Sequence, residues 1–252
     1  MKSWRFRALV GLGSSFLLSA CVADLPLTAR ETVVETRPLE ANGTFSLRNV
    51  NGSVKVATWN EPRVRIEIEK AATSTRALKD IEVRIEGEGS RVSVTTHHPR
   101  GQFLGPRGQV SYRVTLPATA RLDLESVNGA VTVADAAGSV RATTVNGSVE
   151  LEGPMTDVEA QTVNGSIRAT CAQSDSTARR SFSTTNGSIR VRLPENVTGD
   201  FEAETVNGGI HSDFPLTISG RFGPKSLRGH IGSGGGRYRL ATVNGGVRIE
   251  RI

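Results

Sequence analysis

One short phrase, Thr-Val-Asn-Gly-Ser-Val, keeps returning along the chain, and it constrains the fold more than any other feature. It first reads Val50-Asn51-Gly52-Ser53-Val54, then Val127-Asn128-Gly129-Ala130-Val131 and Val145-Asn146-Gly147-Ser148-Val149. Val163-Asn164-Gly165-Ser166-Ile167 and Thr185-Asn186-Gly187-Ser188-Ile189 follow, and the series closes with Val206-Asn207-Gly208-Gly209-Ile210 and Val243-Asn244-Gly245-Gly246-Val247. From Asn128 onward the asparagines step by 18, 18, 22, 21 and 37 residues. Self-similarity at a near-fixed period is the mark of a repeat architecture, in which no unit buries its apolar face alone.

Asn-Gly is the dipeptide best able to hold positive φ at two successive positions, so each pair is expected to form a tight structural turn between strands. Those turns are Asn128-Gly129, Asn146-Gly147, Asn164-Gly165, Asn186-Gly187, Asn207-Gly208 and Asn244-Gly245. Around them apolar residues alternate: Val140, Ala142 and Thr144 lead in before Val149 and Leu151 lead out, and Val158, Ala160 and Thr162 precede Ile167 and Ala169. Period-two alternation argues half-buried strands. A meander of hairpins would pair Thr162 across from Ile167 but gives no reason for valine, asparagine and glycine to recur in register. Stacked corners do give one. The expected class is therefore all-β, a single-stranded β-solenoid with one coil per repeat of about 18–20 residues. On the order of eleven coils at ~4.8 Å each would make a rod of roughly 50 Å. Few aromatics, with abundant glycine, valine and threonine, suit small stacked coils.

The irregular stretches fall between these units. Thr73 to Asp80 can hold a helical turn, His97 to Gln109 reads as a loop, and Cys171 to Arg180 is another break. Gly220 to Gly236 is glycine-rich and stands where a further corner is due.

The first twenty residues read as an address. Lys2, Arg5 and Arg7 precede a short apolar run from Ala8 to Leu18, too short to span a bilayer comfortably. Leu18-Ser19-Ala20-Cys21 has the form of a bacterial lipobox, so Cys21 is the expected lipidation (palmitate) site; an ordinary signal peptide with a chance cysteine is the alternative. The expected domains are a lipoprotein signal peptide over 1–20, an acylated cysteine with a tether over 21–40, and the solenoid over 41–252. With Cys21 acylated, Cys171 has no disulfide partner, and alternation points its side chain inward as a buried small residue. A membrane partner through the lipid anchor follows. Val22, in place of an aspartate after the cysteine, favours the outer membrane where a cell has two.

With these motifs the chain resembles the bacterial "toastrack" putative-adhesin family. The likeness takes in the serial units, Trp59-Asn60-Glu61-Pro62-Arg63-Val64 and the closing Leu240-Ala241-Thr242-Val243-Asn244-Gly245, and runs from about Phe45 to Ile252. It implies a β-helix-like domain, often attached to bacterial envelopes, and supplies no catalytic residues.

Little else carries chemistry. The full sequence has 31 basic and 25 acidic residues, and loss of the leader leaves 28 against 25, too modest a surplus to imply nucleic acid. Basic residues, Arg179 among them, crowd the C-terminal half. Within that crowd alternation turns Arg190, Arg192, Arg237 and Arg239 outward as a candidate face for an anionic envelope polymer or lipid headgroup, against the plainer reading of a solvated strand face. His97-His98 has no second ligand at diagnostic spacing, so neither metal nor cofactor is expected. Gly232-Ser233-Gly234-Gly235-Gly236 lacks the lysine-serine pair and helix of a phosphate loop. Asp123, Asp135, Asp157, Glu159 and Glu204 are scattered, with no pair suited to polysaccharide cleavage. The reading is an envelope-anchored, non-catalytic binding or scaffold protein, adhesin-like. A sensor or partner-docking component of an envelope-stress system is the alternative, ahead of a polysaccharide-acting enzyme.

Overall fold

The structure, a computed structural model, describes residues 27–98, 108–173, 176–219, 225–232 and 235–252. Among the described residues, twenty strands and one short helix make a flattened solenoid of two sheets, A and B. The chain opens with β1 (Ala29–Arg48), β2 (Val54–Trp59) and β3 (Arg63–Ala72), then α1 (Thr75–Lys79). Next come β4 (Glu82–Glu86), β5 (Gly89–His97) and β6 (Gly108–Pro117). The regular part holds β7 (Arg121–Glu125), β8 (Val131–Val133), β9 (Val140–Asn146), β10 (Val149–Gly153), β11 (Val158–Asn164) and β12 (Ile167–Cys171). It continues through β13 (Arg179–Asn186), β14 (Ile189–Leu193), β15 (Gly199–Asn207) and β16 (Ile210–Ser212). The last four are β17 (Thr217–Ser219), β18 (Lys225–Ile231), β19 (Gly236–Asn244) and β20 (Val247–Arg251).

Each coil is two strands. The strand leading into an Asn-Gly pair lies in sheet B, the strand leading out lies in sheet A, and like strands stack in parallel: Ala142 pairs with Ala160 and Ala160 with Phe182, while Val149 pairs with Ile167 and Ile167 with Ile189. Sheet B runs β4-β5-β1-β7-β9-β11-β13-β19-β15-β18-β17, and sheet A runs β1-β3-β6-β2-β8-β10-β12-β14-β20-β16. The two are joined through β1, whose first half pairs with β3 and whose second half pairs with β5 and β7.

Spatial order departs from chain order at both ends. The first coil, β1 with β2, is inserted between β5–β6 and β7–β8; the last coil, β19 with β20, is inserted between β13–β14 and β15–β16. Antiparallel strands finish each end, β3 and β4 at one and β18 with β17 at the other. Seven coils thus carry the corner, fewer than the length suggests, because the remaining chain is spent on caps that shield the open edges. The 37-residue step is one such expenditure: β17 and β18 fill it, where a further coil corner was expected. The segment expected as tether also folds in part, since Ala29 to Pro38 pairs with β3. Ser74 caps the anticipated helical turn by accepting a hydrogen bond from the Ala77 amide.

Between the sheets lies one core of side chains from alternate positions. Val149, Leu151, Ile167, Ala169, Ile189 and Val191 of sheet A face Val140, Ala142, Val158, Ala160, Phe182 and Leu240 of sheet B, all buried. Cys171 is fully buried, and burial raises its thiol pKa, with Arg180 pulling the other way. In the C-terminal coils Phe201 stacks on Tyr238 at 4.3 Å, and the buried Arg180 guanidinium lies 5.3 Å from the Tyr238 ring.

Candidate binding surfaces

The corners form the first surface. Two hydrogen-bonded ladders run along them. Each buried threonine before a corner donates its hydroxyl to a glycine carbonyl of the adjacent coil, as Thr162 does to Gly147 at 2.9 Å and Thr184 to Gly165 at 2.9 Å. Outside them the asparagine side chains join amide to amide. Asn128 donates to Asn51, Asn146 to Asn128, Asn164 to Asn146 and Asn186 to Asn164, then Asn244 to Asn186 and Asn207 to Asn244, at 2.7–2.9 Å. The ladder follows spatial order, so Asn244 stands between Asn186 and Asn207 although it comes last in the chain. The repeat valines stack beside it and are exposed, from 38% at Val145 to 42% at Val206.

The expected reason for glycine at these corners is corrected. Of the seven repeat glycines only Gly52 lies in the left-handed region, with φ 113°; Gly129, Gly147, Gly165, Gly187, Gly208 and Gly245 do not, nor do the asparagines before them. The requirement is space. A Cβ on Gly165 would sit 1.9 Å from the Gly147 carbonyl oxygen, and Gly129, Gly147, Gly187, Gly208 and Gly245 meet their neighbours at 1.9–2.1 Å. Coils approach so closely here that only a hydrogen atom fits.

The second surface is basic. The four arginines expected on one face do not share one. Arg190 and Arg192 follow their corner and lie in sheet A, whereas Arg237 and Arg239 precede theirs and lie in sheet B, so the two pairs project from opposite sides of the rod. Alternation gives in or out, and position relative to Asn-Gly gives the sheet. On sheet A, Glu250 sits 3.4 Å from Arg190 and 3.3 Å from Arg192, so that pair is neutralised in part.

On sheet B, Arg237 and Arg239 join Arg179 and Arg141 around a groove of about 530 Å³, bordered also by Leu122, Val140 and Val158, whose side chains are buried in the core. Arg179 belonged to the basic crowd in the sequence without being assigned to a site, and Arg141 stood out by nothing until the coils were stacked. Arg237 is the register partner of Arg179, and Arg239 lies two residues along the same face. Three of the acids around them are engaged elsewhere: Asp200 bonds His230 at 2.8 Å, Glu202 bonds Arg228 at 3.0 Å, and Glu159 takes Gln161 at 2.7 Å and Arg141 at 3.6 Å; the fourth, Asp157, borders the groove and accepts the Arg179 backbone amide. Among the described residues, Arg179, Arg237 and Arg239 have no carboxylate within ion-pair distance. The same residues include no cluster of three metal-ligating side chains. Cys21 and the leader lie outside the described residues.

No curated protein matches the chain. Two solved structures are similar to the chain, and the first shows the same kind of fold. One is a putative cell adhesion protein from Clostridium sporogenes, 9% identical, with a TM-score of 0.51 over 88% of this chain and all of that one. The other is a putative adhesin from Bacteroides fragilis, 9% identical, with a TM-score of 0.39 over 87% of this chain and 97% of that one. Residues 35–250 match the family model Toastrack DUF4097, and the chain belongs to that family.

Proposed function

We propose that this protein is a lipid-anchored, non-catalytic binding module of the bacterial cell envelope, held through Cys21 at the outer membrane where two membranes are present. The observation that carries the binding reading is the sheet B groove, where three exposed arginines lack acidic partners among the described residues. Guanidinium groups stay charged at every physiological pH and accept no protons, so such a groove holds an anion rather than moving protons. The stacked backbone supports this role, because β13 and β19, the strands that carry the arginines, are each paired on both sides. Anchoring is supported by the lipobox order Leu18-Ser19-Ala20-Cys21. Cys21→Ser should abolish palmitate labelling and release the protein from the membrane fraction. A variant that still labels and still fractionates with membranes overturns the anchoring. Crosslinking of the full chain in its own envelope should recover a bound partner, and recovery of none would overturn the binding role.

A further inference from the structure

Resting on that binding reading, we infer that the sheet B groove is a site for a phosphoryl group, with Arg179, Arg237 and Arg239 as its ligands. Three features of the groove converge on this chemistry. The first is local concentration of unmatched charge. Adjacent strands stand ~4.8 Å apart and alternate residues of one strand ~6.7 Å apart. The register Arg179↔Arg237 and the spacing of Arg237 from Arg239 therefore put three guanidinium stems around one small patch. A single carboxylate offers one charge to such a patch, whereas a phosphate monoester brings −1.5 to −2 and three acceptor oxygens.

The second feature is how the charge is kept unmatched. Asp200 and Glu202 are the register neighbours of Arg237 and Arg239 on β15 and are the natural partners for them. Both are drawn instead toward the antiparallel cap strand β18, where His230 and Arg228 hold them. Like charges on neighbouring strands cost stability when no counter-charge intervenes. With Asp200 and Glu202 spent on the cap and Glu159 on Arg141 and Gln161, three arginines stand together beside one remaining carboxylate, Asp157, and a bound anion relieves their repulsion. The arginines of sheet A show the contrast, since Glu250 lies within 3.4 Å of both Arg190 and Arg192.

The third feature is the mixed lining. Leu122, Val140 and Val158 border the groove but turn their side chains into the core, so its apolar surface comes from the stems of the arginines that line it. Those stems give the carbon skeleton attached to a phosphoryl group an apolar surface, and a headgroup phosphate of an anionic phospholipid meets both parts. Free or polymer-borne phosphate would use the arginines alone.

The test uses the full chain in a non-ionic detergent, titrated with inorganic phosphate, with monomeric dihexanoyl phosphatidic acid, a phosphate monoester, and with dihexanoyl phosphatidylcholine as the zwitterionic control. Saturable binding of phosphatidic acid is expected, weakening as the screening length falls from about 30 Å at 0.01 M salt to about 8 Å at 0.15 M. The triple variant Arg179→Gln/Arg237→Gln/Arg239→Gln should lose at least roughly tenfold in affinity, as loss of charge-assisted bonds demands. Its melting temperature should stay the same or rise, because the repulsion is gone. Arg190→Gln/Arg192→Gln should bind like the parent. Inorganic phosphate binding as tightly as the lipid would assign the phosphoryl group to a free or polymer source and still support the site. No binding of either probe, or equal affinity in the triple variant, overturns the phosphoryl site. The binding role itself stands or falls on the separate crosslinking experiment.

Discussion

At the scale of single residues the fold is specified by what cannot be larger. Gly165 is pinned by the Gly147 carbonyl, and backbone on both sides is held in the stack by hydrogen bonds such as Gly147 N–H to Asn164 O at 3.1 Å. Gly165→Ala therefore should cost about 3 kcal/mol or more, because neither coil can give way without breaking its ladder. Two positions after Asn207 the chain also has glycine, Gly209, but a Cβ there meets nothing within 4 Å. Gly209→Ala should change stability by less than about 0.5 kcal/mol. Equal melting temperatures for the two variants would refute the close-approach account. The sequence already distinguished these glycines, since Ser53, Ala130, Ser148, Ser166 and Ser188 occupy the second position in other repeats. It could not give the reason for the first, because a left-handed turn and a crowded stack both select glycine.

At the scale of elements, alternation and corners were enough to recover the paired strands and their inward faces. The valines before each asparagine escaped that logic. They follow an inward threonine and precede an outward asparagine, so the chain shows two exposed residues in succession as it changes sheet. The basic face was misassembled for a related reason: strands on either side of one corner alternate identically yet belong to opposite sheets. The cap strand β18 was illegible because its pairing to β15 is antiparallel and carries no repeat signature. Its hold on β15 is partly electrostatic and gives a pH signature. The hydrogen bond from His230 to Asp200 raises the histidine pKa above the ordinary 6.5, helped by the Gly232 backbone and opposed by slight desolvation. With the folded value raised, the contribution is complete below the unfolded pKa and is lost as pH rises through the folded one. Proton NMR should find His230 titrating above the ordinary histidine range, and Asp200→Asn should bring it down. An unchanged midpoint in that variant would show that Asp200 is not the cause.

At the scale of the whole molecule the chain does not end where the rod ends. In a solenoid wound in sequence order, removing the last repeat shortens the stack by one rung and leaves the rest standing. Here the last repeat is an interior rung: β19 lies between β13 and β15, and β20 lies between β14 and β16. The rungs on both sides are bonded to it, through Asn186 and Asn207 on the asparagine ladder and through the backbone pairs Phe182↔Leu240 and Ala203↔Leu240. Deleting residues 236–252 should therefore strip each sheet of one strand and cut the coil β15–β16, with its cap strands β17 and β18, loose from the stack. The exposed edges of β13 and β14 would present unpaired backbone groups beside Phe182 and Val191, which are buried in the complete chain. The expected outcome is self-association rather than a shorter monomer, read as early elution in size-exclusion chromatography. A proportionate fall in β-structure with a monomeric elution volume would mean that β15 closes directly onto β13, and that the inserted coil is dispensable to the stack.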